Sequence, residues 1–154
     1  MALDGRAWSV AELLPHSGQM VLIDDVIADG PGWVTAGVRI GEDNLFFEPG
    51  AGMPCWLGIE YMAQTVALYS GLYARRHDQP VKIGLLLGSR RYRVEVGHFP
   101  LGSYLRIHAR EEWQDGQMGV FHCTIDEEDR RLAEARINVF QPPDTESLLE
   151  GGQT

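Results

Sequence analysis

An α+β fold, with a curved antiparallel sheet wrapped around one long helix, is predicted by three observations. The run CWLGIEYMAQTVALYSGLYA, residues 55–74, is apolar on nearly every side and holds a single charge, Glu60. A hairpin-like pair of β-rich segments precedes it, and four segments with alternating apolar residues follow it. A helix that is apolar all round must be covered all round, and a sheet built from those segments is the cover at hand.

The first strand is expected at 20–28, MVLIDDVIA, where Asp24 and Asp25 interrupt an apolar run. The turn Gly30-Pro31-Gly32 leads into WVTAGVRI, 33–40, whose β-branched residues suit a hairpin partner. Residues 41–54 hold too many glycines and prolines for a regular element and form a loop. Pro54 stands where a helix can begin, because the N–H it lacks is not used in the first turn. The helix covers 55–76 and is ended by the run HDQP, 77–80. Strands at 81–96, 103–114, 117–128 and 130–141 follow, with alternation plain in Tyr92, Val94 and Val96 and in Leu105, Ile107 and Ala109. Turns at 97–102, 115–116 and 127–130 make them successive antiparallel strands. One domain is expected over 1–141, with a mobile tail over 142–154.

Composition narrows the function classes. The 154 residues are 44% hydrophobic and 23% charged, which suits one soluble core. A net charge of −9 argues against nucleic acid as the main partner, since a phosphate backbone needs a basic surface. Cys55 and Cys123 make no disulfide framework or metal cluster, and MALDGRAWSV lacks the regions of a secretory signal, so a cytoplasmic address without metal or cofactor is expected. The helix is long enough to span a membrane, but Glu60, Gln64, Thr65 and Ser70 within it argue against a span. Six of the 13 basic residues, Arg75, Arg76, Lys82, Arg90, Arg91 and Arg93, fall within 75–93. They read either as a solvated face or as a docking patch for a phosphate or an acidic carrier. One sheet covers one side of so apolar a helix, and a second subunit over the other side makes a dimer the expectation.

The chemistry is expected at Glu60. A carboxylate in the first turns of an apolar helix is costly to bury unless it is paired, neutralised or kept for a reaction. Gln64 lies four residues on and shares its face, and Ala67 and Gly71 extend that face with almost no side chain. The face either floors a groove for a long apolar substrate, or Glu60 and Gln64 satisfy backbone groups at the helix mouth. His16, in LLPHSGQM, and His98, in GHFPLG, lie near strand ends, where a histidine is either a base or a cap. There is no GxSxG elbow and no phosphate loop. Cys55, at the helix start, has no obvious base beside it.

Three segments carry a family resemblance. FFEPGAGMPCWLGIEYMAQ, 46–64, resembles the loop-helix signature of the β-hydroxyacyl-acyl-carrier-protein dehydratases of the hotdog fold. LLPHSGQMVLIDDV, 13–26, resembles their opening, and IGLLLGSRRYRVEVGHFPLGSYLRI, 83–107, their central strands. The PHSGxMVLID opening and the GxPxWxGIEYMAQ helix are similar to a divergent subgroup found with aryl-polyene gene clusters. The resemblance implies a lyase that removes water from a 3-hydroxyacyl group on an acyl carrier protein. It places the family's helix carboxylate at Glu60 and its glutamine at Gln64. The position of the family's loop histidine holds Phe46, and the helix-start glycine is Cys55. His16, in a matching motif, is then the candidate for the second catalytic group, and the amides of Cys55, Trp56 and Leu57 are the candidates for holding the thioester carbonyl. Phe46 and Gln64 are counted with them as substrate-binding candidates. Two alternatives stay open: an acyl thioesterase in which Glu60 activates water, and, because the loop histidine is replaced by Phe46, a non-catalytic subunit of a heteromeric dehydratase. The partner is a carrier-bound acyl chain, with the subunit arrangement a homodimer or a heterodimer with another hotdog protein.

Overall fold

Helix α2, Leu57–Arg76, is the axis around which the rest of the chain is arranged. The computed structural model describes residues 8–79 and 85–140, with the backbone alone at 85–87 and 90. The expected tail over 142–154 lies outside them.

Six long strands form one antiparallel sheet: β1 Asp25–Gly30, β2 Trp33–Arg39, β4 Leu85–Val94, β6 Tyr104–Asp115, β7 Met118–Glu127 and β8 Arg130–Phe140. Their spatial order is β1-β2-β6-β7-β8-β4, so the strand that follows the helix returns to the far edge beside β8. The expected alternation decides which face meets the helix. Val34, Ala36 and Val38 on β2, Leu105, Ile107 and Ala109 on β6, Phe121, Cys123 and Ile125 on β7, and Ala133, Ala135 and Ile137 on β8 are all buried. They pack with Leu57, Tyr61, Met62, Val66, Leu68 and Leu72 of α2 into one core.

Four local departures from the sequence-based expectation have physical causes. The first strand begins at Asp25 and not at 20, because Leu22 N–H donates to the side chain of Gln64 and not to a neighbouring strand. Pro54 does not start the helix; it belongs to a two-residue strand β3, Met53–Pro54, paired with β5, His98–Phe99, inside the expected turn. The helix starts at Leu57 and not at 55: Pro54 is held in the β3–β5 pair, and Cys55 N–H extends that pairing to Gly97 O at 3.0 Å. A short helix α1, Val10–Leu13, was not expected at all. Its signal is a capping box: Ser9 Oγ accepts from Glu12 N–H at 3.2 Å, and Glu12 Oε1 accepts from Ser9 N–H at 3.1 Å.

α1 lies directly on α2. A Cβ on Gly71 would stand 2.1 Å from Leu13 O, so only glycine permits this approach. Arg75 fastens the contact by donating to Glu12 O at 2.9 Å. Gly71 is thus the seat of α1 and not, as the sequence suggested, the floor of a groove. No helix among the described residues is long and apolar enough to cross a membrane.

Candidate active site

The chain leaves α1 through Leu14, which is extended, as a residue before proline must be, and runs past His16 into a single 3-10 turn at Gly18–Met20. Gln64 captures this segment. Its Nε2 donates to Met20 O at 2.7 Å, and its Oε1 accepts from Leu22 N–H at 2.9 Å. The remaining amide hydrogen is donated to Glu60 Oε1 at 3.0 Å. Gln64 has no exposed surface, and its hydrogen bonds run to the chain itself. It was expected to bind substrate; it touches the site only through Glu60, which it orients.

The segment so held brings His16 over Glu60. His16 Nε2 lies 3.8 Å from Glu60 Oε1, with both side chains about one third exposed. That is ion-pair range but too long for a direct hydrogen bond. The other ring nitrogen, Nδ1, is buried and has no hydrogen-bond partner among the described residues.

Both residues line a cleft of about 440 Å³ along the side of α2 that the sheet leaves open. Its helix wall follows Glu60, Ala63, Ala67, Ser70 and Tyr73, positions three or four apart, with Val66 and Tyr69 beside them. Its sheet wall includes Phe121 and Val139, and beyond them Glu111 and Met118. The groove expected from the sequence therefore exists, one residue further round the helix. Ala67 faces it as expected, while Gln64 and Gly71 face the N-terminal segment.

The other predicted residues lie apart from this cleft. Phe46 is largely exposed, adopts φ 73° and packs edge-on against the exposed ring of Trp56 with centroids 5.6 Å apart. Phe46 lines a separate cavity of about 380 Å³ with Asp24, Asp43 and Tyr61. Cys55 cannot offer its amide to a substrate, because Gly97 O takes it; its own carbonyl accepts from Tyr92 O–H at 2.5 Å. Trp56 and Leu57, at the first turn of α2, keep amides that the helix ladder does not use. His98 pairs with Glu48 at 3.4 Å on the surface, and His122 with Glu134 at 2.5 Å on the outer side of the sheet.

The basic cluster is divided by its contacts. Arg76 is bound to the buried Asp29 at 2.5 Å, and Arg75 caps α1, so both are structural. Arg91 and Arg93 are exposed. Lys82 lies outside the described residues. Among the described residues no group of three or more His, Cys, Asp and Glu could hold a metal.

Sequence reasoning missed Glu111. It follows Leu105, Ile107 and Ala109 on the inward row of β6 and lines the cleft, and burial pushes its carboxyl above the ordinary value. Tyr69 is pushed up likewise by burial, with Glu111 adding to the effect.

A long helix enclosed by an antiparallel sheet, with a carboxylate near the helix start opening on a side cleft, defines a hotdog protein. The chain belongs to the ApeP-like dehydratase family, described as ApeP dehydratase, which matches residues 8–150. It is 32% identical to a chain of the dehydratase heterocomplex ApeI:P from Xenorhabdus doucetiae, over 92% of this chain and 96% of that one, with a TM-score of 0.85. Two more distant structures, each 14% identical, share the fold alone. A hypothetical thioesterase with coenzyme A from Streptococcus pneumoniae TIGR4 covers 77% of this chain and 84% of its own, with a TM-score of 0.61. The E. coli PaaI protein from the phenylacetic acid degradation operon covers 75% and 81%, with a TM-score of 0.60. No curated protein matches the chain.

Proposed function

We propose that this dehydratase acts on 3-hydroxyacyl thioesters borne by an acyl carrier protein in the cytoplasm, with His16 and Glu60 as its acid–base pair. The observation that carries the reading is the 3.8 Å approach of His16 Nε2 to Glu60 Oε1 inside an elongated cleft. His16 takes a proton from C2 of the acyl chain, and the C2–H electrons form the C2=C3 bond. The C3–O bond breaks as Glu60, in its acid form, delivers a proton to the leaving hydroxyl, and water departs. Transfer of the proton from His16 to Glu60 resets the pair. Gln64 holds the carboxyl through Oε1. The amides of Trp56 and Leu57, outside the lining of the cleft at the start of α2, are left unused by the helix ladder and are the candidates for the thioester carbonyl, whose oxygen gains negative charge as C2 is deprotonated. Exposed Arg91 and Arg93 suit an acidic carrier. Incubation with a 3-hydroxyacyl carrier should yield the trans-2-enoyl carrier, one water lighter by mass spectrometry. An unchanged mass with a verified substrate contradicts the reading.

A second reading is favoured by the similarity to a chain of a heterocomplex and by Phe46. This chain then works beside a second hotdog subunit, with the exposed Phe46–Trp56 pair at the helix mouth as part of the contact. Copurification with such a subunit, and dehydration by that subunit that persists when this chain carries Glu60→Gln, supports it.

A further inference from the structure

Gly119 is a glycine that the backbone does not ask for. It lies inside β7 on the row that faces the helix, where Phe121, Cys123 and Ile125 are buried. It pairs with Gln114 on β6 and with Val139 on β8, the nearby register shift falling opposite Phe121 and Val120, and its φ is not in the left-handed region that favours glycine. Nor does a neighbour fill its place. At Gly58 and Gly71 a Cβ would stand 2.1 Å from Tyr92 Oη and from Leu13 O, so those glycines make room for another part of the chain. At Gly119 the nearest atoms are a ring carbon of Phe121 at 3.3 Å and a methyl of Val139 at 3.5 Å, and all three residues line the cleft.

A glycine inside a strand weakens it, and where neither a special φ nor a packed neighbour accounts for it, close approach of a ligand is the remaining cause. Two contacts fix where Gly119 lies relative to Glu60. β7 runs opposite to α2: near the helix start a Cβ on Gly58 would stand 3.2 Å from Ile125 Cδ1, whereas Phe121 meets Tyr69 edge-on with centroids 5.5 Å apart. Tyr69 stands roughly 13 Å further along the helix axis than Glu60, at about 1.5 Å per residue. Gly119 lies beyond Phe121 in the same direction and so borders the end of the cleft far from the His16–Glu60 pair. The helix wall at that end is Ser70 and Tyr73.

We propose that Gly119 is a specificity-determining residue: the space left by its missing side chain receives the far end of a long acyl chain and sets the longest 3-hydroxyacyl group that the site accepts. The inference rests on the cleft being the acyl site, with the reacting carbons at Glu60. Phe121 and Val139 beside the space offer apolar surface to a hydrocarbon chain. A side chain at position 119 stands in the path of an acyl group that reaches past Phe121 and leaves untouched one that ends near Glu60.

The test compares kcat/KM of the full-length chain for 3-hydroxybutanoyl and 3-hydroxyhexadecanoyl carriers, the first too short to leave Glu60 and the second long enough to pass Phe121. Gly119→Leu should lower the value for the long substrate by roughly tenfold or more while the short one stays within about twofold, and Gly119→Ala should fall between wild type and Gly119→Leu. In denaturant melts Gly119→Ala should unfold at the same midpoint as wild type or a higher one, since the strand gains a side chain and loses no packing. A lower midpoint for Gly119→Ala marks a glycine that the fold itself requires and overturns this inference alone. An unchanged ratio of the two substrates in the variants that fold as wild type does has the same force. Failure of wild type to dehydrate either substrate overturns the acyl-site reading and this inference with it.

Discussion

Two histidine–carboxylate pairs in this molecule look alike in a residue table and are opposite in kind. His122 and Glu134 meet at 2.5 Å on the outer side of the sheet, and the hydrogen bond from His122 holds the Glu134 carboxyl below its ordinary value. His16 and Glu60 stop at 3.8 Å, the histidine has a buried nitrogen without a partner among the described residues, and the glutamate is held by Gln64. The tight pair has used its capacity on itself. The loose pair faces a cleft with capacity to spare, and it is the one that can accept a proton from something else.

The sharpest way to break this contrast is Glu60→Gln. It keeps the shape and removes the acid, so kcat/KM for a 3-hydroxyacyl carrier should fall by roughly 10²- to 10⁴-fold, read by enoyl formation. His16→Ala should cost about 10²-fold in the same assay; an unaffected variant would return His16 to a merely structural role. Gln64→Ala leaves Leu22 N–H and Met20 O without their partner and frees the Glu60 carboxyl. It should lower stability by about 1–3 kcal/mol in denaturant melts and reduce kcat more than it changes KM. His122→Ala is the control: turnover should stay within about twofold, and the loss of stability should be below about 1 kcal/mol, because both side chains of the pair remain partly exposed to solvent.

That control pair also carries a pH signature with a definite sign. Glu134 has a folded-state pKa depressed below its ordinary 4.5. Its stabilising contribution is therefore present above the ordinary value and lost as pH falls through the depressed one. The stability gap between wild type and Glu134→Gln should narrow as pH falls below the ordinary 4.5, read from denaturant melts at a series of acid pH values.

Much of the architecture was legible because burial writes itself into period-two patterns: Leu105, Ile107 and Ala109 faced the core as read, and the sheet wraps the apolar helix on all but the side that lines the cleft. The approach of His16 to Glu60 agrees with the motif-based expectation of a histidine near the helix mouth. What could not be read was which side of so uniformly apolar a helix stays open, since a helix apolar all round has no pattern to mark it. That is decided by α1 on Gly71 and by the hydrogen bonds of Gln64, both of long sequence separation. The fate of the Cys55 amide was hidden for the same reason, as its acceptor is the distant Gly97. Two signals were legible and missed: the S-x-x-E capping box of Ser9 and Glu12, and the acid at Glu111 that breaks the inward row of β6.

His16 belongs to a short span fixed at both ends, at Leu13 against Gly71 and at Met20 against Gln64. A span so tethered has little slack, so it cannot swing aside as a flap without releasing one of its moorings. On the proposed reading, an acyl chain would then enter lengthwise along the groove and not through a flap. Lengthening the span by inserted glycines would give the histidine freedom at the expense of its aim, and the site would bind as before while turning over more slowly.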